Sequence, residues 1–362
     1  MKITNLTTFD IIKYEILERE GNVYLKRDWI GLIPLHYSIR QGEILVANTI
    51  KALMKQGIAI SDIQTVRSGC IDKIHEDGNV DTETYYQLPE VTIQDEPEIA
   101  SRRLRESLDN SGALEGATAV MLSGGMDSTI AAYLAKKFNP DIECYCLSTK
   151  KGDSDNLDQP YARQVAQLLG LPLIELTIHD SVILEVLDQV VFACEDYRDY
   201  NVFSAVGAFI LGKRILQDGH RKIICGEGPD EIFGSYEPWG SHSTIADEAR
   251  KPEMRRKFVK RLEWNLSRGT KVFEFISPDI SLVSPYLTRE FVEYGVNLAP
   301  ETVNIHKHRK GILADAFANV LPIDMLLRGK VRFQDGSGVT QVLKENGVDN
   351  QYLKRVFDRH FR

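Results

Sequence analysis

A short apolar run that breaks into Ser-Gly-Gly and then resumes as a helix is the feature that most constrains the fold. Residues 120–122 are apolar, residues 123–125 are Ser-Gly-Gly, and residues 130–135 favour a helix. The two glycines let the backbone fold closely around an anion, and the first amides of the helix point into the loop. The hydroxyls of Ser123 and Ser128 add hydrogen-bond donors. The pattern predicts strand, tight loop and helix, with an oligophosphate as occupant; a glycine-rich turn before an ordinary helix is the alternative.

The loop differs from a Walker loop because it lacks the phosphate-binding lysine. Asp127 stands inside the loop instead, so this carboxylate would have to meet the phosphates through Mg2+. In this respect the loop resembles the pyrophosphate-binding loop of ATP pyrophosphatases, which produce AMP and pyrophosphate. The resemblance implies ATP and Mg2+ as cofactors.

Length, charge and cysteine content narrow the class of protein. The 362 residues allow about two domains, and the net charge of -8 gives no general attraction to nucleic acid or to an anionic membrane. We find neither a signal sequence nor an apolar run of membrane-spanning length, so a cytoplasmic enzyme is the expectation. The five cysteines are scattered, with no paired CxxC, which argues against a disulfide framework and a structural zinc site.

The order of predicted elements divides the chain in two. Residues 1–92 alternate short apolar segments with turns at 20–22 and 40–42, which predicts a small antiparallel β domain. Residues 97–362 then alternate strands and helices as far as about residue 244 and are mostly helical beyond it. This predicts an α/β fold, a parallel sheet with helices on both faces, whose ligands lie at the carboxyl ends of the strands.

A second motif follows a predicted strand at residues 222–225. It places three carboxylates, those of Glu227, Asp230 and Glu231, within five residues. They would repel one another unless they shared a cation; an acidic turn is the alternative. Together the two motifs closely resemble the synthetase domain of the asparagine synthetase family, which includes β-lactam synthetases and lasso-peptide cyclases.

The resemblance continues in order along roughly residues 98 to 340. Glu195 ends a helix that looks like the family's glutamate-bearing helix. Four further family-like segments are residues 284–287, 310–313, 321–322 and 328–338. Lys310 also ends a basic cluster, residues 306–310, for which a solvated helix start or a contact to a substrate phosphate is favoured over a nucleic-acid patch.

The resemblance implies that ATP adenylates a carboxylate and that ammonia or an amine then attacks the acyl-adenylate. The implied pyrophosphate and magnesium ligands are Ser123, Gly124, Gly125, Asp127 and Ser128, with Asp230 as second magnesium carboxylate. The other implied ATP-binding residues are Leu122 and, around the adenine, Leu147, Ser148, Cys225 and Gly226. Lys330 would contact the transferring phosphoryl group, and Glu227 would accept the proton of the attacking nitrogen. Because the β-lactam branch has Tyr at this position, Glu227 favours the amidating branch.

The chain departs from the family at its amino terminus. Glutamine-dependent members begin with a nucleophilic Cys after the initiator Met, whereas the second residue here is Lys2 and the first cysteine is Cys70. We therefore interpret residues 1–92 as a remnant of the glutaminase domain that packs or binds rather than catalyses. The segment 272–283 also differs from the family, which points to an unusual acyl substrate.

The resulting prediction is an AMP-forming amide ligase for a small-molecule or peptide carboxylate. The nitrogen donor stays open between free ammonia, ammonia delivered by a separate subunit, and an amine. No nucleic-acid or membrane partner is expected, and a homodimer is compatible with the sequence. The alternatives are an intramolecular lactam- or isopeptide-forming cyclase, a non-amidating adenylating enzyme of the same fold, and a non-enzymatic relative; the intact set of Asp127, Glu227, Asp230 and Lys330 counts against the last.

Overall fold

The computed structural model describes residues 2–7, 14–149, 158–235, 251–329 and 331–362, with residues 263–267 and 307 described at the backbone only. Within these ranges no helix is long and apolar enough to cross a membrane.

In the described residues, two four-stranded sheets form the amino-terminal region, which the sequence predicts as a small antiparallel β domain. Their orders are β1-β5-β4-β6 and β2-β3-β7-β8, and β1 pairs with β5 in parallel while the other pairs are antiparallel. Residues of both sheets, among them Leu25 and Tyr37, pack into one apolar cluster between them. The strands are β1 Lys2–Asn5, β2 Tyr14–Arg19, β3 Asn22–Arg27, β4 His36–Arg40, β5 Glu43–Ala47, β6 Gln64–Thr65, β7 Cys70–Ile74 and β8 Val80–Thr84.

The two predicted hairpin turns are confirmed. Strands β2 and β3 are joined by Glu20 and Gly21, with φ of 50° and 74°, and β4 and β5 by Gln41 and Gly42, with φ of 52° and 78°. Two consecutive positive φ angles define the turn whose twist matches the twist of paired strands. Glycine at the second position adopts the positive φ that each turn requires without a steric penalty.

A five-stranded sheet forms the centre of the remaining chain, and every neighbouring pair in it is parallel. Its order is β11-β10-β9-β12-β13. The strands are β9 Ala119–Met121, β10 Glu143–Thr149, β11 Leu173–Ile178, β12 Lys222–Ile224 and β13 Ser281–Val283. The first four were predicted. Strand β13 was not, because three residues are too few to show a strand periodicity within a mostly helical segment.

Helices cover both faces of this sheet. In β10, Cys144 and Cys146 pack into one apolar cluster, and Tyr145 and Leu147 pack into a second one. This alternation is expected of strands buried on both sides, and it confirms the predicted fold class. The α-helices are Ile50–Met54, Pro97–Asp109, Met126–Phe138, Asp158–Leu169, Asp180–Cys194, Asp199–Gln217, Pro229–Ile232, Pro252–Lys260, Leu262–Ile276, Arg289–Asn297, Pro300–Val303, Gly311–Asp315, Ile323–Leu326, Phe333–Gly336, Val339–Glu345 and Asn350–Phe361. Short 3-10 helices occupy Ile60–Asp62, Gly112–Leu114, Pro285–Leu287 and Ile305–Lys307.

The amino-terminal sheets pack directly on the helices around the parallel sheet. Ile30 belongs to the same apolar cluster as β9 and β10. The hydroxyl of Thr270, on the helix Leu262–Ile276, donates to the Leu32 carbonyl at 3.2 Å. Ile93, between the two regions, pairs in parallel with Leu298.

Candidate functional site

The Ser-Gly-Gly loop lies between β9 and the helix Met126–Phe138, as predicted. Gly124 has φ of 76°, and a Cβ there would lie 2.5 Å from the backbone carbonyl carbon of Tyr161, so glycine is needed on both counts. The Ser128 hydroxyl accepts from the Ser123 amide at 3.2 Å and donates to the Gly125 carbonyl at 3.1 Å. The Ser123 hydroxyl accepts from the Gly125 amide at 3.3 Å. The two serines therefore hold the loop in shape from within.

The residues assigned to ATP by the resemblance lie at the carboxyl ends of three neighbouring strands. Leu122 follows β9, Leu147 and Ser148 lie in the last part of β10, and Cys225 follows β12; all four side chains are buried. Since β9 is paired with both β10 and β12, these ends meet at one edge of the sheet.

Gly226 is the point at which the two motifs touch. A Cβ at this position would lie 2.9 Å from the Ser128 nitrogen and 3.1 Å from the Asp127 carbonyl carbon. Both of those atoms belong to the first turn of the helix Met126–Phe138. A backbone approach this close requires glycine.

The carboxylates assigned to Mg2+ converge on a lysine. The Lys310 ammonium donates to both carboxylate oxygens of Asp127 at 2.6 Å and to Asp230 Oδ1 at 2.9 Å. The Ser235 hydroxyl also donates to Asp230 Oδ1. The Lys310 side chain is only 3% exposed, so for this residue the expectation of a solvated helix start was wrong. Its pairing with the two aspartates was missed, because no local pattern links residues 80 and 183 positions apart.

Segment 284–287, which was singled out only for its family resemblance, supports both motifs. The Ser284 hydroxyl donates to the Glu227 carbonyl at 2.6 Å and accepts from the Tyr286 amide at 3.3 Å. The buried Tyr286 hydroxyl donates to the Asp127 carbonyl at 2.7 Å. Burial raises the pKa of Tyr286 well above its usual value, so the hydroxyl remains a donor.

Glu227 faces a different cation from Asp230. Its side chain is 44% exposed, and Oε1 lies 3.9 Å from Nη2 of Arg268. The sequence predicts one cation shared by the acidic cluster; the structure instead pairs Asp230 with Lys310 and Glu227 with Arg268. Asp230 is 18% exposed and Glu227 is 44% exposed, so the two carboxylates differ in both their cation and their access to solvent.

The carboxy-terminal glycine-rich segment contacts the Ser-Gly-Gly loop and the helix Asp158–Leu169 through Arg328. Arg328 donates to the Ser123 carbonyl at 3.2 Å and to Asp158 Oδ1 at 3.1 Å, and its guanidinium stacks 3.6 Å from the Tyr161 ring centre. The Gly336 backbone approaches the Asp158 carboxylate too closely for a Cβ. Lys330, assigned to the phosphoryl group, lies outside the described residues.

The donor set fits a metal site that is completed by substrate phosphates, rather than one formed by protein side chains alone. Asp127 and Asp230 are both within reach of one cation, the Lys310 ammonium. No cluster of three or more His, Cys, Asp or Glu side chains arranged for a metal occurs in the described part of the chain. Mg2+ is usually held by one or two carboxylates together with substrate phosphates, so two aspartates beside a phosphate-type loop suit Mg2+ that arrives with a nucleotide.

Comparisons with known proteins show the family to which the chain belongs. A family model described as Asparagine synthase matches residues 101–275 and 279–359, and the chain therefore belongs to the asparagine synthase family. A glutamine-hydrolysing asparagine synthetase of Cricetulus griseus is 30% identical over 276 residues, covering 67% of this chain and 48% of that protein. Asparagine synthetase B of Escherichia coli (strain K12), also glutamine-hydrolysing, is 23% identical over 374 residues, covering 96% of this chain and 65% of that protein.

Two further matches cover a smaller share of the relative or have a lower sequence identity. The nodule asparagine synthetase of Pisum sativum is 28% identical over 261 residues, which is 66% of this chain but only 42% of the pea protein. The chain thus matches less than half the length of this curated relative. Among solved structures, NMN synthetase from Francisella tularensis has 16% identity and a TM-score of 0.34, covering 74% of this chain and 87% of that one.

The close approach at Gly226 generates a prediction. In Gly226→Ala the new methyl group meets backbone atoms, which cannot move aside cheaply, so we expect a loss of about 1–3 kcal/mol in the free energy of unfolding. Gly112→Ala is the matched control, because a Cβ at Gly112 has nothing within 4 Å. Chemical denaturation of both variants gives the measurement, and equal midpoints would show that the two motifs are not packed as described.

Proposed function

We propose that this chain is an ATP-dependent amide-forming ligase that adenylates a carboxylate, releasing pyrophosphate, and transfers the acyl group to ammonia or an amine, with AMP as the second product. The observation that carries the proposal is the cluster of Asp127, Lys310 and Asp230 beside the Ser-Gly-Gly loop, in which Asp127 and Lys310 are buried and Asp230 is half-buried. The cluster brings two carboxylates and an ammonium group together beside the loop amides, and this supports a site for Mg2+ and the phosphates of ATP.

In this proposal the ATP phosphates occupy the loop of residues 123–128, and Asp127 and Asp230 hold Mg2+. The ion would neutralise phosphate charge and polarise the phosphoryl oxygens. Lys310 compensates the charge of both carboxylates and keeps them side by side. The adenine would lie against Leu122, Leu147, Ser148, Cys225 and Gly226, which is supported by their common position at the strand ends. Lys330 stays a prediction from the resemblance, as the contact of the transferring phosphoryl group.

Glu227 is proposed to act after adenylation. Its carboxylate is 44% exposed and lies near Arg268, whereas Asp230 contacts Lys310, so Glu227 is suited to a reactant rather than to the metal. The nitrogen of ammonia or of an amine would bond to the acyl carbon, the bond from that carbon to the AMP oxygen would break, and Glu227 would take the proton from nitrogen.

Ammonia or an amine is the proposed nitrogen source because the chain offers no reactive thiol for hydrolysing glutamine. All five cysteines are buried, and burial raises the pKa of Cys144 and of Cys194 to about 12. A thiol that stays protonated and buried is inert as a nucleophile. Ammonia from a separate subunit and an amine substrate both satisfy this condition.

The magnesium role is tested with Asp127→Asn. We expect pyrophosphate release, assayed with Mg2+, ATP and a panel of carboxylic acids that begins with L-aspartate, to fall by about two to three orders of magnitude. Asp141→Asn, an exposed aspartate, is the control and should release pyrophosphate as the wild type does. Unchanged turnover in Asp127→Asn would remove the metal role and with it most of the proposal.

The division between the two half-reactions is tested with Lys330→Ala and Glu227→Gln. Lys330→Ala should lose adenylation, because a cation on the transferring phosphoryl group stabilises charge that develops in the transition state. Glu227→Gln should keep carboxylate-dependent exchange of pyrophosphate into ATP but form little amide. If both variants lose pyrophosphate exchange equally, Glu227 belongs to the ATP site and is not the base.

A further inference from the structure

A buried ionic cluster joins the amino-terminal sheets to the helices of the parallel sheet. Its centre is Glu195, whose side chain is 1% exposed and whose φ is 54°, a left-handed conformation at the end of the helix Asp180–Cys194. Glu195 Oε1 accepts from the backbone amide of Lys51 at 2.8 Å and lies 3.6 Å from the Lys51 ammonium. Glu195 Oε2 lies 2.8 Å from the Lys271 ammonium.

The electrostatics keep this cluster charged and fixed in position. Burial alone would raise the pKa of Glu195, but Lys271 and Lys51 outweigh it and hold the pKa at about 2. His36, Glu274 and Cys194 are further titratable groups near this cluster. Burial together with Lys271 lowers the pKa of His36 to about 3, so His36 is uncharged. The Lys51 ammonium also donates to the Ala193 carbonyl at 3.0 Å. Because removing a partner of a buried charge is strongly destabilising, these contacts oppose rearrangement of the cluster.

Contacts lead from this cluster to Glu227. Lys271 and Arg268 are three residues apart on the helix Leu262–Ile276 and therefore share a face. Arg268 Nη1 donates to Asn201 Oδ1 at 2.7 Å, and Asn201 Nδ2 donates to Asp196 Oδ2 at 2.6 Å. Asp196 directly follows Glu195 in the sequence, so these contacts close a ring together with the backbone segments 195–196 and 268–271. The second terminal nitrogen of Arg268 is the one that lies 3.9 Å from Glu227 Oε1.

We infer that Glu195 and Lys51 are positioning residues for Glu227, acting through Lys271 and Arg268. The inference rests on the proposed function, in which Glu227 takes the proton from the attacking nitrogen. Lys51 belongs to the short helix Ile50–Met54 that follows β5, so the amino-terminal sheets contribute to the acyl-transfer half of the reaction. In this account the amino-terminal sheets are part of the working site.

Lys51→Met is the first test, because it removes the ammonium but keeps the backbone amide and leaves Glu195 neutralised by Lys271. Lys26→Met is the matched control, since Lys26 lies in β3 and pairs with Glu15. With Mg2+, ATP, L-aspartate and hydroxylamine as probes, we expect Lys51→Met to retain pyrophosphate exchange within about twofold and to lose roughly tenfold or more of hydroxamate formation. Arg268→Gln should show the same split, and the double variant should be no worse than Arg268→Gln, because both changes break one ring.

Three outcomes would overturn the inference: hydroxamate formation in Lys51→Met equal to the Lys26→Met control, equal loss of both half-reactions, or additive losses in the double variant. Failure of the proposed function is separate, because Glu227→Gln would then lose pyrophosphate exchange. If the wild type does not turn over L-aspartate, the inference is tested instead by hydrogen exchange of the backbone amides in the two variants. Faster exchange of backbone amides at residues 226–231 in Lys51→Met, but not in Lys26→Met, supports the inference, and equal exchange overturns it.

Discussion

The buried Lys310 ammonium between Asp127 and Asp230 is the interaction on which the rest of the site depends. Asp127 lies in the first turn of the helix after the Ser-Gly-Gly loop, Asp230 lies in the helix after β12, and Lys310 comes from the carboxy-terminal part of the chain. Removing one partner of a buried ion pair leaves an uncompensated charge and costs about 3–5 kcal/mol. The ion pairs of Lys310 therefore hold the three segments together beside the Ser-Gly-Gly loop.

Close backbone approaches complete this arrangement. Gly226 brings the second motif against the helix that follows the first, and Gly124 brings the loop against the helix Asp158–Leu169. Arg328 and Gly336 then hold the carboxy-terminal segment against the same helix through Asp158. The glycines of the motifs thus have a packing role in addition to the anion-binding role proposed for them. A side chain at Gly124 or Gly226 would collide with backbone atoms and would therefore change the shape of the site.

The sequence alone predicts the parts of this structure that have a local cause. The strands β9 to β12, the loop between β9 and its helix, and the turns at Gly21 and Gly42 follow from apolar periodicity and from glycines at positive φ. The parallel pairing of β1 with β5, the strand β13 and the cation partners Lys310 and Arg268 could not be predicted, because each depends on residues distant in sequence that share no repeating pattern. The family resemblance located the segment of Lys310, but only the folded chain shows which carboxylates it meets. The role of Lys330 and the position of the domain boundary near residues 92–97 stay predictions.

Identifying the products of ATP cleavage is the most direct test of the account. Phosphorus NMR of the wild-type chain with Mg2+, ATP and the panel of carboxylic acids distinguishes cleavage at the α-phosphorus from cleavage at the γ-phosphorus. The account predicts AMP and pyrophosphate in equal amounts, formed only when an acid substrate is present. Formation of ADP and phosphate would contradict the assignment of residues 123–128 and of the Asp127–Lys310–Asp230 cluster to pyrophosphate.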